Sequence, residues 1–264
     1  GESDEGAGVK IKPYYEDTES GIVIYHGDCL EVLPQLDPGI AEAIITDPPY
    51  SSGGQFRGDR MQGTITKYVR TGQIVQRSEF TGDNRDQRAF LAWCSLWLCA
   101  ARHATTDGSV LCCFTDWRQL PTLTDAVQCS GWTWRNICTW WKPGCRMQRG
   151  RFSGSAEYLI YATNGAHASD GEKSPQNVIA CAPISGKKKQ HIAEKPIEVV
   201  KWAMGVTRSS CCVLDPFMGS GSVLVAAKLT GRRAIGIEIE ERYCEIAAKR
   251  LSQGVLFGVS GGVS

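Results

Sequence analysis

The sequence predicts an α/β fold with a doubly wound, mostly parallel sheet and helices on both faces. From Ile22 onward, short apolar runs alternate with segments of helical periodicity, as expected for βαβ units. The chain has 264 residues, of which 42% are hydrophobic, and this is enough for one substantial core. We therefore expect one domain at residues 21–252, between flexible tails at residues 1–20 and 253–264.

The first part of this domain is predicted to alternate between strands and helices. A strand at Ile22–Tyr25 leads to a helix that Asp28 caps, and a second strand at Ala43–Thr46 ends at Asp47. The next elements are a helix at Asp86–His103, a strand at Ser109–Thr115, a helix at Asp116–Cys129 that Pro121 interrupts early, and an antiparallel hairpin of Trp132–Trp141 and Ala156–Ala162.

Two long polar segments separate these elements. Residues 51–85 are rich in Gly, Arg and Gln, and loops of this length are usually functional. We expect this segment to be an active-site lid. The second segment, Thr163–Gln190, is expected to be an insertion and not part of the core.

The final third predicts a complete β-loop-α-β-α unit after an initial helix. Ile197, Val200 and Met204 keep helical spacing, which indicates a helix at Glu194–Met204. The elements that follow are a strand at Cys211–Asp215, a helix at Gly219–Leu229, a strand at Ala234–Glu238 and a helix at Glu240–Leu251.

Composition limits the class of protein. The formal net charge is +1 and the pI about 7.6, so a polyanion would have to be held by local basic clusters. There is no apolar run of 18 residues, so we expect a soluble protein with no membrane partner.

Cysteine usage favours a reducing compartment. Most of the twelve cysteines lie in apolar stretches, where a reduced thiol behaves as a small hydrophobe. Examples are Cys94, Cys99, Cys112, Cys113, Cys211 and Cys212. Since no C-x-x-C occurs, and Cys94, Cys99 and His103 do not share a helical face, we expect a cytoplasmic protein without a metal.

A glycine turn between a predicted strand and helix is the first candidate site. Its sequence is Asp215-Pro216-Phe217-Met218-Gly219-Ser220-Gly221-Ser222. Such a turn admits a ligand close to the backbone, and the helix start offers free N–H groups. Leu224 replaces the third glycine of G-x-G-x-x-G, and no Gly-Lys-Ser/Thr follows, which disfavours dinucleotide and P-loop sites. Glu238 ends the next strand and could accept both hydroxyls of a ribose, or it could only cap the last helix.

The second candidate site is Asp47-Pro48-Pro49-Tyr50. Two prolines hold the segment extended and leave its carbonyls free. The Asp47 carboxylate and the Pro48 carbonyl are then two adjacent acceptors for a ligand NH2, and Tyr50 offers a flat face for stacking. A purely structural Asp-Pro-Pro turn would explain the same residues.

Together, these motifs resemble those of the S-adenosylmethionine-dependent DNA amino-methyltransferases, with the D-P-P-Y motif preceding F-x-G-x-G as in the β-class. The resemblance covers about Ile22 to Leu251. It implies a Rossmann-like, seven-stranded mixed sheet with one antiparallel hairpin strand, and a prokaryotic or phage-encoded protein. Dimerisation is suggested by the resemblance alone.

The resemblance also implies roles for residues at matching positions. Asp215, Phe217, Gly219, Ser220, Gly221 and Ser222 would form the S-adenosylmethionine turn, Glu238 would bind the ribose, Asp28 would lie by the adenine of the cofactor and Lys195 by its carboxylate. Asp47, Pro48, Pro49 and Tyr50 would hold the target base, and S-adenosylhomocysteine would be the product.

A base stacked in duplex DNA cannot reach such a clamp, so we expect it to be flipped out. Candidate phosphate contacts are Arg57 and Arg60 in the lid, Lys142, Arg146, Arg149 and Arg151 in the hairpin loop, and Lys187 and Lys188 in the insertion. Residues 165–190 and the lid are the candidates for target recognition. Four tryptophans near the hairpin, Trp132, Trp134, Trp140 and Trp141, are expected to lie in the core.

Several functions remain open on the sequence. A leading Asp in the clamp is typical of adenine-N6 enzymes, whereas many cytosine-N4 enzymes begin with Ser. Methylation of RNA or of a protein glutamine is also compatible with these motifs, as is an inactive binding module on the same fold.

Overall fold

The computed structural model describes residues 11–49, 85–145, 149–150, 152–167, 174–184 and 194–253. Its strands are β1 (Tyr15–Asp17), β2 (Ile22–His26), β3 (Ala41–Thr46), β4 (Thr105–Thr115), β5 (Thr133–Trp141), β6 (Ala156–Thr163), β7 (Val178–Ala180), β8 (Cys212–Asp215) and β9 (Arg233–Glu238). Its α-helices are α1 (Cys29–Val32), α2 (Gln87–His103), α3 (Leu120–Cys129), α4 (Ile197–Met204), α5 (Ser222–Leu229) and α6 (Glu241–Ser252).

The described strands form one sheet in the order β1-β2-β9-β8-β3-β4-β6-β5-β7. The strands from β2 to β4 in this order are parallel, and β6 runs antiparallel to both of its neighbours, β4 and β5. This confirms the doubly wound, mostly parallel sheet and the hairpin. The described residues contain nine strands and not the seven expected. The two extra strands, β1 and β7, are three-residue edge strands, too short to produce a sequence pattern.

Helices cover both faces of the sheet, and β3 shows how the sequence achieves this. Ile44 packs with α1, α2 and α3 on one face, whereas Ala43 and Ile45 pack with α4, α5 and α6 on the other. All three side chains are fully buried. A strand covered on both faces is apolar at successive positions, which explains the continuous run before Asp47.

Several predicted helix starts are too early, and proline or glycine explains each difference. α3 begins at Leu120, with Pro121 in its first turn, where the missing N–H costs nothing. α4 begins at Ile197 after Pro196, since the residue before a proline avoids the helical region. α5 begins at Ser222 because Gly221 is left-handed, with φ of +81°.

Two predicted segments are partly wrong. The expected flexible tail at residues 1–20 includes β1, and the Tyr14 N–H donates to the Ile24 carbonyl at 2.8 Å. The expected insertion at residues 163–190 includes β7, which pairs with β5 and extends the sheet. Edge strands this short are held by backbone hydrogen bonds and do not require alternating apolar and polar residues. The sequence therefore did not reveal either strand. The predicted lid lies outside the described residues apart from Arg85.

Two predictions about individual side chains also need correction. Trp132 and Trp140 are buried as predicted, but Trp134 is 41% and Trp141 49% exposed. Cys99 is exposed on α2, whereas the sequence predicts a buried thiol there. All twelve cysteines lie within the described ranges, and all are free thiols. No helix in the described part of the chain is long and apolar enough to cross a membrane.

The burial pattern of α2 yields a matched stability test. Leu98 is fully buried, whereas Leu96 on the same helix is 60% exposed. We expect Leu98→Ala to lower the free energy of unfolding by roughly 2–5 kcal/mol, and Leu96→Ala to lower it by less than about 1 kcal/mol. Urea denaturation of both variants measures the difference, and equal losses would contradict the packing of α2 against the sheet.

Candidate active site

The candidate site lies at the carboxyl ends of β3, β8, β9 and β2, where open α/β sheets bind ligands. β8 and β9 follow β3 in the chain but lie between β2 and β3 in the sheet. This change of strand order opens a crevice at their carboxyl ends. Asp47 follows β3, Asp215 and Glu238 end β8 and β9, and Asp28 lies two residues beyond β2.

A buried hydrogen bond joins the two motifs. β3 and β8 are parallel neighbours, with Ile44 opposite Leu214, so their ends lie side by side. The Thr46 hydroxyl donates to Asp215 Oδ1 at 2.7 Å, and the Phe217 N–H donates to the same oxygen at 3.1 Å. The Asp47 segment and the glycine turn therefore meet in one site, although 169 positions separate Thr46 from Asp215.

The glycine turn has the conformation and the space that a ligand requires. Gly219 and Gly221 have φ of +50° and +81°, a region that favours glycine. A Cβ on Gly221 would lie 2.8 Å from the Ala247 Cβ, whereas a Cβ on Gly219 would meet nothing within 4 Å. Gly221 is thus required by packing against α6, and Gly219 borders open space.

Glu238 holds the backbone of the glycine turn in place. Its two carboxylate oxygens accept from the Gly219 N–H and the Glu240 N–H, each at 2.8 Å. Burial raises the pKa of Glu238, and these backbone donors oppose the rise. The hypothesis that Glu238 only caps the last helix is too narrow, because it also holds Gly219. Carboxylate oxygens have further lone pairs, so these contacts leave capacity for ligand hydroxyls.

The remaining predicted cofactor residues lie around the same turn. Asp28 Oδ1 caps α1 by accepting from the Leu30 N–H at 2.9 Å, and the adjacent Gly27 N–H donates to the Glu238 carbonyl at 2.9 Å. Ser220 and Ser222 are buried. Phe217 packs against Trp93 and Trp97, with ring centroids 5.2 and 5.1 Å away.

Asp47 is the centre of a buried charge network. Its Oδ2 accepts from Lys195 Nζ, which also lies 3.2 Å from Glu157 Oε2. Glu157 Oε1 pairs with Lys142, so two carboxylates and two ammonium groups balance each other. Asp47 Oδ1 is buried and has no hydrogen-bond partner among the described residues. Burial raises the pKa of Asp47, Lys195 lowers it, and Glu157 raises it.

Two predicted binding residues therefore have different neighbours from those expected. Lys195, expected by the cofactor carboxylate, contacts Asp47 and Glu157. Lys142, expected on DNA phosphate, pairs with Glu157 and lies over the Trp140 ring at 4.9 Å. Arg149 is exposed. The other predicted residues, Tyr50, Arg57, Arg60, Arg146, Arg151, Lys187 and Lys188, lie outside the described residues.

Sequence reasoning missed three residues that support the site. These are Thr46, Glu157 and Arg250. Arg250 Nη1 donates to the Ser220 carbonyl at 2.7 Å, and Nη2 lies 3.1 Å from Glu194 Oε1. Only the position of Thr46, next to Asp47, gave a signal in the sequence. Within the described ranges, no group of three or more His, Cys, Asp or Glu residues could hold a metal.

Comparison with known proteins agrees with this geometry. The family model N6_N4_Mtase, described as DNA methylase, matches residues 41–249. The chain belongs to this DNA methylase family. It is 23% identical over 263 residues to the type II methyltransferase M2.MboI of Moraxella bovis, covering 92% of each chain.

Solved methylase structures share the fold. The M1.HpyAVI–SAM complex has a TM-score of 0.61 and 23% identity, covering 87% of this chain and 98% of that one. The cytosine-N4-specific PvuII DNA methyltransferase has a TM-score of 0.70 and 15% identity, covering 94% and 92%. This DNA methylase therefore has the methyltransferase fold that the sequence predicts.

The buried Asp215 generates a pH-dependent stability test. Burial raises its pKa from 3.8 to about 7, although Thr46 and the Phe217 N–H lower it. A raised carboxyl pKa stabilises the fold below pH 3.8, and this contribution is lost as the pH rises towards 7. Asp215→Asn keeps an acceptor oxygen, so we expect its stability relative to wild type to rise by on the order of a few kcal/mol between pH 4 and 7.

Chemical denaturation of both proteins across this pH range measures the effect. Asp17→Asn is the control, whose stability relative to wild type should stay nearly constant between pH 4 and 7. Lys228 lowers the pKa of Asp17 to about 2, so its stabilising contribution is present above pH 4 and disappears as the pH falls towards 2. A pH-independent difference between wild type and Asp215→Asn would contradict the buried environment of Asp215.

Proposed function

We propose that this DNA methylase transfers a methyl group from S-adenosylmethionine to the N6 amine of an adenine flipped out of duplex DNA. The observation that carries the proposal is Asp47 Oδ1, a buried acceptor without a partner among the described residues, next to the glycine turn. A buried polar atom normally has a hydrogen-bond partner, so this oxygen is suited to a donor from the substrate.

The glycine turn fits S-adenosylmethionine. Gly219 borders open space, and Glu238 is buried at the end of β9 with capacity for ribose hydroxyls. Asp28 lies beside Glu238 through the Gly27 contact, where it would face the adenine of the cofactor. The bound cofactor supplies an electrophilic methyl group on a sulfonium, and all remaining steps depend on residues of the chain.

Asp47 has both a geometric and an electrostatic role. The lone pair of the target amine is delocalised into the ring, which makes the amine a poor nucleophile. Hydrogen bonds from its two protons to Asp47 Oδ1 and the Pro48 carbonyl would favour a pyramidal nitrogen and direct its lone pair to the methyl group. Because this nitrogen becomes cationic during transfer, a fixed carboxylate stabilises the transition state. The bond from the nitrogen to the methyl carbon would form as the bond from that carbon to sulfur breaks, which leaves S-adenosylhomocysteine. The nitrogen would then release one of its protons to solvent.

DNA as substrate follows from the family, and the base must leave the stack to reach Asp47. Flipping costs a few kcal/mol, and stacking on Tyr50 would offset part of this cost. Among the predicted phosphate contacts, the exposed Arg149 remains available. Lys142 is a weaker candidate than the sequence indicated, because Glu157 already neutralises it.

Adenine is preferred to cytosine because the clamp motif begins with Asp47. Cytosine-N4 methylation stays open, since the structural relatives include a cytosine-N4-specific enzyme. Duplex DNA is incubated with the protein and S-adenosylmethionine and then digested to nucleosides. The methylated nucleoside is identified by mass spectrometry. We expect N6-methyladenosine in its deoxy form; N4-methyldeoxycytidine alone would replace the adenine proposal with the cytosine one.

Asp47→Ala tests the clamp. We expect the single-turnover rate of methyl transfer to fall by at least about 10²–10³-fold, as for the loss of one preorganised transition-state contact. The affinity for S-adenosylmethionine, measured by calorimetry, should change little, because Asp47 contacts the amine and not the cofactor. A variant with normal transfer would show that Asp47 does not hold the base.

A matched pair of glycine variants tests the cofactor turn. Gly219 and Gly231 both have positive φ, and a Cβ at either would meet nothing within 4 Å. Alanine at each should therefore cost similar stability, about 1–2 kcal/mol. Only Gly219→Ala should weaken S-adenosylmethionine binding, by tenfold or more, which corresponds to about 1.4 kcal/mol. Equal affinities of the two variants in calorimetry would exclude the cofactor from this turn.

A further inference from the structure

We propose that Lys195 is a positioning residue for methyl transfer, which holds Asp47 by Oδ2 so that Oδ1 faces the target amine. The inference rests on the proposed function and deepens it. It assigns Lys195 to the clamp, whereas the sequence resemblance placed this lysine at the cofactor carboxylate.

The contacts of Lys195 support this assignment. The residue is 7% exposed, and its ammonium lies between Asp47 Oδ2 and Glu157 Oε2. It also lies 5.3 Å from the centre of the Phe114 ring. A buried ammonium is stable only when it is paired, and two carboxylates already neutralise Lys195.

The two oxygens of Asp47 consequently have different roles. Oδ2 is engaged by Lys195, while Oδ1 is buried without a partner among the described residues. A carboxylate paired with a mobile ammonium could rotate and exchange its oxygens. Because Glu157 holds the other side of Lys195, and Lys142 holds Glu157, the ammonium is fixed from β6 and from the end of β5.

The backbone before Lys195 is anchored on the cofactor side. Glu194 pairs with Arg250 at 3.1 Å, and Arg250 donates to the Ser220 carbonyl at 2.7 Å and to the Ser220 hydroxyl at 3.1 Å. The adjacent residues Glu194 and Lys195 therefore connect the glycine turn to the clamp. Through this connection, the acceptor oxygen and the cofactor turn keep a fixed relative position.

Electrostatics gives the proposal a second readout. Among the described residues, the charged and titratable groups that face Asp47 are Lys195, Glu157 on β6, Lys142 after β5, Asp215 on β8 and Cys113 on β4. Burial raises the pKa of Asp47, Lys195 opposes this rise, and Glu157 adds to it. Activity requires ionised Asp47, so the methyl-transfer rate should fall at low pH, which gives the pH–rate profile an acidic limb. Loss of the Lys195 charge should move this limb to higher pH. Loss of the Glu157 charge should move it to lower pH.

The test compares Lys195→Met, Lys195→Arg and Glu157→Gln in the full chain, with Lys249→Met as the matched control. Lys249 is exposed on α6, where it pairs with Glu245 and not with a residue of the site. Single-turnover methylation of duplex DNA is measured against pH at saturating S-adenosylmethionine, and cofactor affinity is measured by calorimetry.

We expect Lys195→Met to slow transfer by about 10²-fold, the effect of a misplacement near 1 Å, with unchanged cofactor affinity and an alkaline shift of the acidic limb. Lys195→Arg keeps the charge, so it should restore the wild-type acidic limb and part of the rate. Glu157→Gln should shift the limb in the acidic direction, and Lys249→Met should match wild type.

Weak cofactor binding by Lys195→Met, with the rate restored by excess S-adenosylmethionine, would overturn the proposal and return Lys195 to the cofactor carboxylate. If Lys195→Met does not fold, an acidic limb of Glu157→Gln that matches the wild type overturns the proposal equally. Absence of transfer by the wild type would instead contradict the proposed function itself, and the two failures are therefore distinguishable.

Discussion

The hydrogen bond between Thr46 and Asp215 is the contact on which the site depends. It joins the ends of β3 and β8 at 2.7 Å in a fully buried position. One residue beyond it, Asp47 begins the clamp, and two residues beyond Asp215, Phe217 begins the glycine turn. A methyl donor and an acceptor amine must lie within reach of each other for in-line transfer, and this contact fixes the two loops that would hold them.

A second set of contacts holds the same two loops from the other side. Lys195 reaches Asp47, while its neighbour Glu194 reaches Ser220 through Arg250. The two loops are thus joined by a hydrogen bond from the uncharged Thr46 and held by ion pairs of Lys195 and Glu194. Buried ion pairs contribute little net stability, so their physical value here is the fixed orientation of one carboxylate oxygen.

The sequence predicted those parts of the molecule that have a repeating pattern or a dense motif. The apolar run before Asp47 indicated β3 because both of its faces are covered, and the glycines indicated the turn because L-residues avoid its φ values. The edge strands β1 and β7 gave no signal, since three residues are too few for a period and their pairing uses only the backbone. Pro121 and Pro196 moved helix starts in ways that follow from local sterics.

The charge network could not be predicted because its members are remote in the chain. Lys195 and Asp47 are separated by 148 positions, and Glu157 lies within a strand where its side chain could equally have faced solvent. The most direct test is a crystal structure of the full chain with duplex DNA and a non-reactive cofactor analogue. We expect the N6 amine of a flipped adenine within hydrogen-bond distance of Asp47 Oδ1, with Oδ2 still on Lys195. An adenine amine bound elsewhere, with Asp47 Oδ1 turned away from it, would contradict the role of Asp47 as the clamp.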